Sequence, residues 1–348
     1  MLTLHPYRLP LTEAVVWGGV AQAERLGVLV RVETETGAVG WGDVAPLPGF
    51  SRETLAAAVA AVERLDGASL DGASLDGLDA LPSAARFGVE LARADAQAQD
   101  AGRTLAQAFA PDPAVTLPLA GLILGGTPDA VLADAERLAR AGYTAVKLKV
   151  GRGTVAADAA LVRSVRDALG PGVALRLDAN RAWSAADARR FADAVAGVVL
   201  EFVEEPLADA GPEASALAEL WLDTGLPLAL DETLQEPGSG SPEGGLAALR
   251  GWAAAAVVKP TLGGGLAAAR RIADAALAVG VKTVVSASFE SGVGMRGLVA
   301  LAAATGGHAA GLDTYRWLAR DVLAERLPLA RPTVDVPGLL GRPVRVAL

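Results

Sequence analysis

The segment AVKLKVGRGTVAADAALVRSVRDALGPGVALRLD, residues 145–178, holds two apolar strands that each end at a charged residue, Lys149 in the first and Asp178 in the second. These two residues are 29 positions apart. Further polar residues follow apolar runs at intervals of 26, 27, 28 and 27 residues: Glu204, Asp231, Lys259 and Ser286. Each interval has the length of one strand plus one helix, so the pattern predicts repeated βα units of an α/β fold.

Two more strands bring the count to about eight. One over residues 117–124 precedes the series and one near Gly311 follows it, which predicts a (β/α)8-type barrel with its chemistry at the carboxyl ends of the strands. Capping signals place helices over 127–142, 184–197 and 265–279. An open doubly wound sheet is the alternative, but it would spread the polar strand ends along a line.

The first part of the chain has a different pattern. Residues 2–9 and 27–36 alternate as strands, and Gly37, Gly40 and Gly42 then interrupt the alternation, which predicts a small α+β domain.

We therefore divide the chain into three parts. These are an α+β domain over residues 1–114, the barrel over residues 115–314, and a C-terminal segment over residues 315–348 that packs back on the first domain. The run LDGASLDGASLDG, residues 65–77, is too short and too rich in glycine for a solenoid repeat. It is predicted to be a loop and is assigned no function.

Composition excludes several classes of function. The 348 residues carry a net charge of -9, so the chain lacks the positive charge expected for binding nucleic acid or an anionic membrane. The absence of cysteine excludes disulfides, thiolate metal sites and cysteine nucleophiles. No apolar run is long enough to span a membrane, and the first residues do not resemble a secretory signal. We expect a cytoplasmic protein with a small-molecule substrate and oxygen ligands for any metal.

Lysine is scarce and its positions are informative. Only four of the 31 basic residues are lysine: Lys147, Lys149, Lys259 and Lys282. Unlike a guanidinium group, an ammonium group can lose its proton when burial or a like charge lowers its pKa. In the strand around Lys147 and Lys149, both side chains share one face about 7 Å apart, which favours a usable base. Two surface lysines on an edge strand are the alternative.

Three strand ends carry acids: Asp178, Glu204 and Asp231. Three converging carboxylates repel one another unless a cation lies between them, and all-oxygen ligation suits Mg²⁺. Any one of them, taken alone, is as well explained by an N-terminal helix cap. Glu204 is chosen over Glu205 because it shares a strand face with Phe202. Lys259 ends a later strand and is expected on the opposite side of the ring from Lys149.

The chain resembles the muconate-lactonizing subgroup of the enolase superfamily, and most closely its o-succinylbenzoate synthase family. The matching motifs occur in both domains and in the order of the family: APLPGFS (45–51), AVKLKVG (145–151), RLDANRAW (176–183), EFVEEP (201–206), LDET (230–233), VKPTL (258–262), SASFESG (286–292) and GLDT (311–314).

The resemblance implies a role for each matching residue. Asp178, Glu204 and Asp231 would hold Mg²⁺, and Lys149 would take the proton next to a substrate carboxylate to form a magnesium-stabilised enediolate. Lys259 would face this intermediate as a cation, and Lys147 would tune Lys149. The product after loss of water would be o-succinylbenzoate, in menaquinone biosynthesis.

Other positions are implied to bind or support the substrate. The substrate-binding set is Ser286, Gly311, Arg176, Phe50 and Ser51, the last two in a loop of the domain that caps the barrel. Glu232 and Asn180 are implied as supporting residues, with ordinary surface or capping roles as the alternative. The implied partner is a small carboxylate substrate, and the oligomeric state is left open.

Related activities remain as alternatives. N-succinylamino acid racemases, dipeptide epimerases and muconate cycloisomerases reuse the same lysines and acids. SASFESG resembles the synthases more than the racemases, and the last strand offers one acid, Asp313, where dipeptide epimerases usually show two. A Schiff-base aldolase would use one lysine and no metal, and a non-catalytic barrel would have lost part of this set of residues.

Overall fold

The N-terminal domain is built on a three-stranded antiparallel sheet. The computed structural model describes residues 1–17, 19–65, 78–211, 214–235 and 251–347, so the repeat LDGASLDGASLDG lies outside the described residues from residue 66 onward. The strands are β1 (Leu2–Trp17), β2 (Val20–Glu33) and β3 (Val39–Val44), in the order β1-β2-β3. The register of the long β1–β2 hairpin shifts between Pro10 and Val15.

Among the described residues, three α-helices follow this sheet: α1 (Leu55–Glu63), α2 (Ser83–Asp100) and α3 (Leu105–Phe109). Gly40 and Gly42, which were predicted to interrupt the strand pattern, lie inside β3, so that prediction was wrong. Their role is close packing, since a Cβ at Gly42 would lie 1.8 Å from the backbone oxygen of Gly88 in α2. Only glycine lets the helix backbone approach the strand this closely.

The rest of the chain is dominated by a parallel sheet that curls on itself. After a short strand β4 (Thr116–Pro118), the described residues form seven parallel strands in sequential order: β5 (Ala120–Ile123), β6 (Ala145–Lys149), β7 (Ala174–Asp178), β8 (Phe202–Glu204), β9 (Leu228–Leu230), β10 (Ala253–Val258) and β11 (Lys282–Val285). The helices on its outer side are α4 (Pro128–Arg140), α5 (Val155–Leu169), α6 (Ala185–Ala194), α7 (Ser215–Thr224), α8 (Gly265–Ala278) and α9 (Gly292–Ala304).

A short eighth segment closes the ring between β11 and β5. Ala310 exchanges backbone hydrogen bonds with that edge of the sheet, donating to Pro118 at 3.0 Å and accepting from Ala120 at 2.9 Å. Gly311 donates to Val285 at 2.9 Å on the other side and pairs with Ser286. The prediction of a (β/α)8-type barrel beside an α+β domain is confirmed, although the eighth strand is reduced to these bridges.

The C-terminal segment contacts both parts of the molecule. The strand expected over residues 117–124 is in fact two, because β4 leaves the barrel to pair antiparallel with β12 (Thr333–Asp335). A last helix, α10 (Val336–Leu340), follows β12. Nearer the N-terminal domain, Ala319 donates its backbone N–H to Pro10 of β1 at 2.8 Å. The predicted domain boundaries themselves stay predictions.

Candidate active site

The carboxyl ends of β6, β7 and β8 bring two lysines and two acids together. Cα pairing aligns Lys149 with Asp178 and Asp178 with Glu204, so these side chains leave neighbouring strands on the same face. The Nζ of Lys147 lies 2.8 Å from both carboxylate oxygens of Glu204 and 2.8 Å from Asp178. The Nζ of Lys149 lies 2.6 Å from the same oxygen of Asp178. Both carboxylates are buried, whereas each lysine side chain keeps about one sixth of its surface exposed.

The next two strands extend the cluster. Asp231 follows β9, is fully buried, and accepts hydrogen bonds from Lys259 at the end of β10 and from Gln235. Its charge is also close enough to Glu204 to help raise the pKa of that carboxyl. The structure therefore brings all three sequence-predicted acids and all three predicted lysines into one connected group.

Burial and neighbouring charges shift the protonation of this group unequally. Burial and the nearby Asp178 raise the pKa of Glu204 to about 8. Burial lowers the pKa of Lys149, even though Asp178 opposes the shift. Burial acts the same way on Lys147, but there Asp178 and Glu204 outweigh it and raise the pKa. The pKa values of Lys147 and Lys149, on the same strand, are therefore shifted in opposite directions. The lowered pKa of Lys149 favours its neutral amine form.

Asn180 and Glu232 border the cluster. Asn180 accepts from Lys149 through its side-chain oxygen and donates to Glu232 at 3.2 Å. The second carboxylate oxygen of Glu232 is buried with no hydrogen-bond partner among the described residues. These contacts connect the two predicted supporting residues to Lys149.

Glu205 also belongs to the site, although the sequence prediction chose Glu204 over it as the metal ligand. Its φ of 39° turns the carboxylate away from the lysines, and its Oε1 accepts from the backbone N–H groups of Asp231 and Thr233, each at 2.8 Å. Its other oxygen accepts from the Thr233 hydroxyl at 3.0 Å and from Arg181 at 3.2 Å. Glu205 thus holds the loop that carries Asp231. The only sequence signal was its place beside Glu204 before a proline.

A cavity of about 550 Å³ opens above the cluster, between the N-terminal domain and the barrel. The barrel contributes Lys147, Lys149 and Lys259, and the N-terminal domain contributes Trp17 and Phe50. This domain therefore caps the barrel.

The predicted substrate-binding residues have three different positions. Phe50, Ser286 and Gly311 line the cavity. A Cβ at Gly311 would lie 2.8 Å from the hydroxyl oxygen of Ser286, so glycine leaves room for this serine. Ser51 does not line the cavity but accepts the backbone N–H of Leu47 at 2.8 Å, which stabilises the loop that carries Phe50.

Arg176 is not brought to the cavity. It lies one layer deeper in the barrel, where its guanidinium stacks 5.2 Å from the ring of Phe202 and donates to Glu201 at 2.6 Å and to the carbonyl of Ala309 at 2.7 Å. Lys282, to which no role was assigned, donates to Glu201 at 3.2 Å. Arg176 therefore fills the barrel interior, which corrects its expected place in the substrate site.

An aromatic wall completes the cavity and was not foreseen. The ring of Phe289 lies 4.7 Å from Trp17 of the β1–β2 hairpin and 6.4 Å from Trp317. Phe289 has a φ of 62°, which is strained for a residue with a side chain. The buried Arg25 of β2 donates to the Phe289 carbonyl at 3.0 Å and so helps to hold this conformation.

The residues present suit a hard divalent cation. Across the described ranges, no three His, Cys, Asp or Glu side chains meet the geometry of a finished metal site. The ammonium groups of Lys147 and Lys259 instead lie among the carboxylates. Three buried carboxylates on adjacent strand ends are nonetheless the all-oxygen donors that Mg²⁺ prefers.

None of the helices in the described part of the chain is long and apolar enough to cross a membrane.

Two family models and several curated proteins are similar to this chain. The family model described as "Enolase C-terminal domain-like" matches residues 130–346, and that described as "MenC, N-terminal domain" matches residues 1–96. The o-succinylbenzoate synthase of Edwardsiella ictaluri is 36% identical over 96% of this chain and 98% of that protein. The o-succinylbenzoate synthase of Photorhabdus laumondii is 34% identical over 94% and 93%, respectively.

The fold also matches a solved epimerase. The L-Ala-D/L-Glu epimerase from Bacillus subtilis superimposes with a TM-score of 0.85 at 26% identity, over 100% of this chain and 99% of that one. Both the sequence relatives and the superposition extend over nearly the whole chain, so the capping domain and the barrel are inherited together. The chain belongs to the o-succinylbenzoate synthase family of the enolase superfamily.

Proposed function

We propose that this chain is a metal-dependent o-succinylbenzoate synthase, which removes water from a succinyl-hydroxy-cyclohexadiene-carboxylate. The observation that carries the proposal is the joint placement of Lys149 and Lys259 around Asp178, Glu204 and Asp231 on successive strand ends. A substrate carboxylate at this site would have one lysine on each side of its α-carbon. This arrangement suits abstraction of a proton from carbon next to a carboxylate.

Each residue of the cluster has a defined part in the reaction. Lys149 accepts the α-proton from carbon, and the C–H electron pair moves into the substrate carboxylate to give an enediolate, which then forms the new double bond as the C–O bond to the hydroxyl group breaks. The hydroxyl leaves as water with the proton that Lys149 gained, so atoms and charge balance. Lys259 and Lys147 remain ammonium groups that offset the negative charge developing on the carboxylate. Asp178, Glu204 and Asp231 would hold Mg²⁺, which supplies Lewis-acid stabilisation of that charge.

The contacts of Asp313 argue against the dipeptide epimerase alternative. Asp313 is the one acid of the last strand region, and it accepts the backbone N–H of Leu122 at 2.9 Å and lies 3.5 Å from Arg316. Asp313 also lines the cavity, but Arg316 and the Leu122 N–H offset part of its charge. A dipeptide ammonium would need a carboxylate that is free to receive it.

N-succinylamino acid racemase stays the second candidate, because racemisation would use the same two lysines, one on each face of the α-carbon. The deciding experiment assays purified protein with Mg²⁺ on the cyclohexadiene substrate and on N-succinylamino acids side by side. We expect rapid formation of o-succinylbenzoate, which is monitored through its ultraviolet absorbance. Racemisation, which is monitored by polarimetry, should be slower or absent. Racemisation without dehydration would overturn the proposal. The cytoplasmic location stays a prediction.

A further inference from the structure

The cavity has two chemically different halves. The strand ends from β6 to β10 carry its lysines, above the buried acids, whereas the remaining sector, from β11 through residues 310–311 to β5, carries neutral side chains apart from Asp313, which lies 3.5 Å from Arg316. The wall of that sector includes Leu122, Leu124, Ser286 and Gly311. The proposed substrate carries two carboxylates, and the cluster accounts for only the one next to the reacting carbon.

A fourth basic residue, Arg152, lines the cavity where the two halves meet. It follows β6 but turns back toward β5, where its guanidinium donates to the carbonyl of Leu124. Within the described ranges it forms no ion pair, unlike the three lysines of the same cavity. Its side chain is exposed at the rim, so its charge is available to a ligand.

The local backbone fits this position of the guanidinium. Gly151 has a φ of 78°, and a Cβ there would lie 2.6 Å from the Cβ of Ala182, so glycine makes the turn that precedes Arg152. A Cβ at Gly125, which has a φ of 117°, would lie 3.0 Å from the guanidinium nitrogen. The acid at the same rim, Glu13, accepts from Trp317 at 2.8 Å and forms no described contact with Arg152.

We infer that Arg152 is a specificity-determining residue that binds the distal, succinyl carboxylate of the substrate. The inference rests on the proposed function, which defines the substrate as a dicarboxylate. The succinyl arm then lies along that sector, past Ser286 and Gly311, and its carboxylate reaches the guanidinium at the rim. Arginine suits this role because its planar N–H groups match both oxygens of a carboxylate.

The test compares two ligands that differ only at the distal group. The first is o-succinylbenzoate, and the second is its analogue with an amide in place of the succinyl carboxylate. Dissociation constants are measured by calorimetry with saturating Mg²⁺ for the wild type, Arg152→Gln and Arg152→Lys. Arg271→Gln, on the exposed side of α8 and away from the cavity, is the matched control.

We expect the wild type and Arg271→Gln to prefer the dicarboxylate by about tenfold, the usual scale of a charge-assisted contact at a partly exposed site. Arg152→Gln should lose this preference and Arg152→Lys should keep part of it. In turnover, Arg152→Gln should raise KM about tenfold and leave kcat within about twofold, because the contact is the same in ground and transition states.

Two outcomes separate the inference from the proposed function. If the wild type forms o-succinylbenzoate but Arg152→Gln keeps the full preference for the dicarboxylate, the inference fails and the activity stands. If the wild type neither forms nor binds o-succinylbenzoate, both fail together. Circular dichroism of each variant establishes that the fold is intact, which we expect because Arg152 is exposed and makes one described hydrogen bond.

Discussion

At the scale of single residues, the site separates two lysines that one strand places side by side. Lys147 bonds to both oxygens of Glu204 and to Asp178, whereas Lys149 bonds to Asp178 and to the neutral amide of Asn180. Lys147 is therefore the more firmly held cation of the two. Lys149 is the residue that can exchange a proton with a substrate.

We expect Lys149→Ala to lower kcat for dehydration by a factor on the order of 10³ or more, because a positioned base contributes about that much. Binding of Mg²⁺ should persist, because the three carboxylates are unchanged. The measurements are absorbance at saturating substrate and calorimetry with Mg²⁺. Lys282→Ala is the matched control, since Lys282 is exposed and contacts Glu201 away from the cavity. Full turnover by the Lys149→Ala enzyme would contradict the assignment.

Asp231→Asn should weaken the binding of Mg²⁺ itself, which Lys149→Ala should leave intact. Replacing one carboxylate by an amide removes a negative oxygen ligand, so we expect the Mg²⁺ affinity to fall at least about tenfold. The fold should remain, because an amide preserves the shape of the side chain. Calorimetric titration with Mg²⁺ checks this, with Asp223→Asn on the exposed end of α7 as control. An unchanged affinity would show that Asp231 is not a ligand.

At the scale of elements, the capping domain depends on the close contact between α2 and β3. Gly88 of the helix and Gly42 of the strand lie so near that no side chain fits between the two backbones. The same sheet extends into the hairpin that carries Trp17 to the cavity. Packing that is remote from the chemistry thereby positions one wall of the site.

Gly42→Ala should lower the free energy of unfolding by about 2–4 kcal/mol, because the new methyl group forces helix and strand apart. Denaturant unfolding measures the change. Gly172→Ala is the control, because a Cβ at Gly172 meets no atom within 4 Å, and it should change stability little. Equal stabilities of the two variants would show that the helix–strand contact relaxes without cost.

At the scale of the whole molecule, a buried polar interface joins the capping domain to the barrel. Asp43 of β3 is fully buried and accepts from Tyr7 at 2.7 Å within its own domain. Across the interface it accepts from both the backbone N–H and the hydroxyl of Ser291, each at 2.8 Å, just before α9. The two domains therefore share a buried carboxylate that does not contact solvent.

This carboxylate gives the folded state a pH dependence. Burial raises the pKa of Asp43 above its ordinary value, although its hydrogen bonds oppose the shift. In the unfolded chain the group ionises near pH ~3.9, so its ionised form is penalised only in the folded state. Relative to Asp43→Asn, the wild type should be most stable below that pH and lose stability as the pH rises through the folded pKa. Unfolding free energies of both proteins, measured from about pH 4 to 7, test the trend. A relative stability that increases with pH would contradict it.

The amino-acid sequence was enough to predict the barrel and the lysines and acids at its strand ends. Spacing and alternation are local properties of the chain, and parallel strands must bring such ends to one rim. The alternation of strand faces favoured Glu204 over Glu205 as the ligand. It did not predict that Glu205 would stabilise the loop of Asp231 through hydrogen bonds.

Which residues surround the reacting group depends on tertiary contacts. Arg176 shares a strand face with Asp178, yet it fills the barrel interior because Glu201 and the carbonyl of Ala309 lie beneath it. The wall of Trp17 and Phe289 exists only where the capping hairpin docks against the barrel. Arg152 reaches its place through a turn at Gly151 and a hydrogen bond to the carbonyl of Leu124, just after β5. These positions depend on contacts between segments distant in sequence, which no local period encodes.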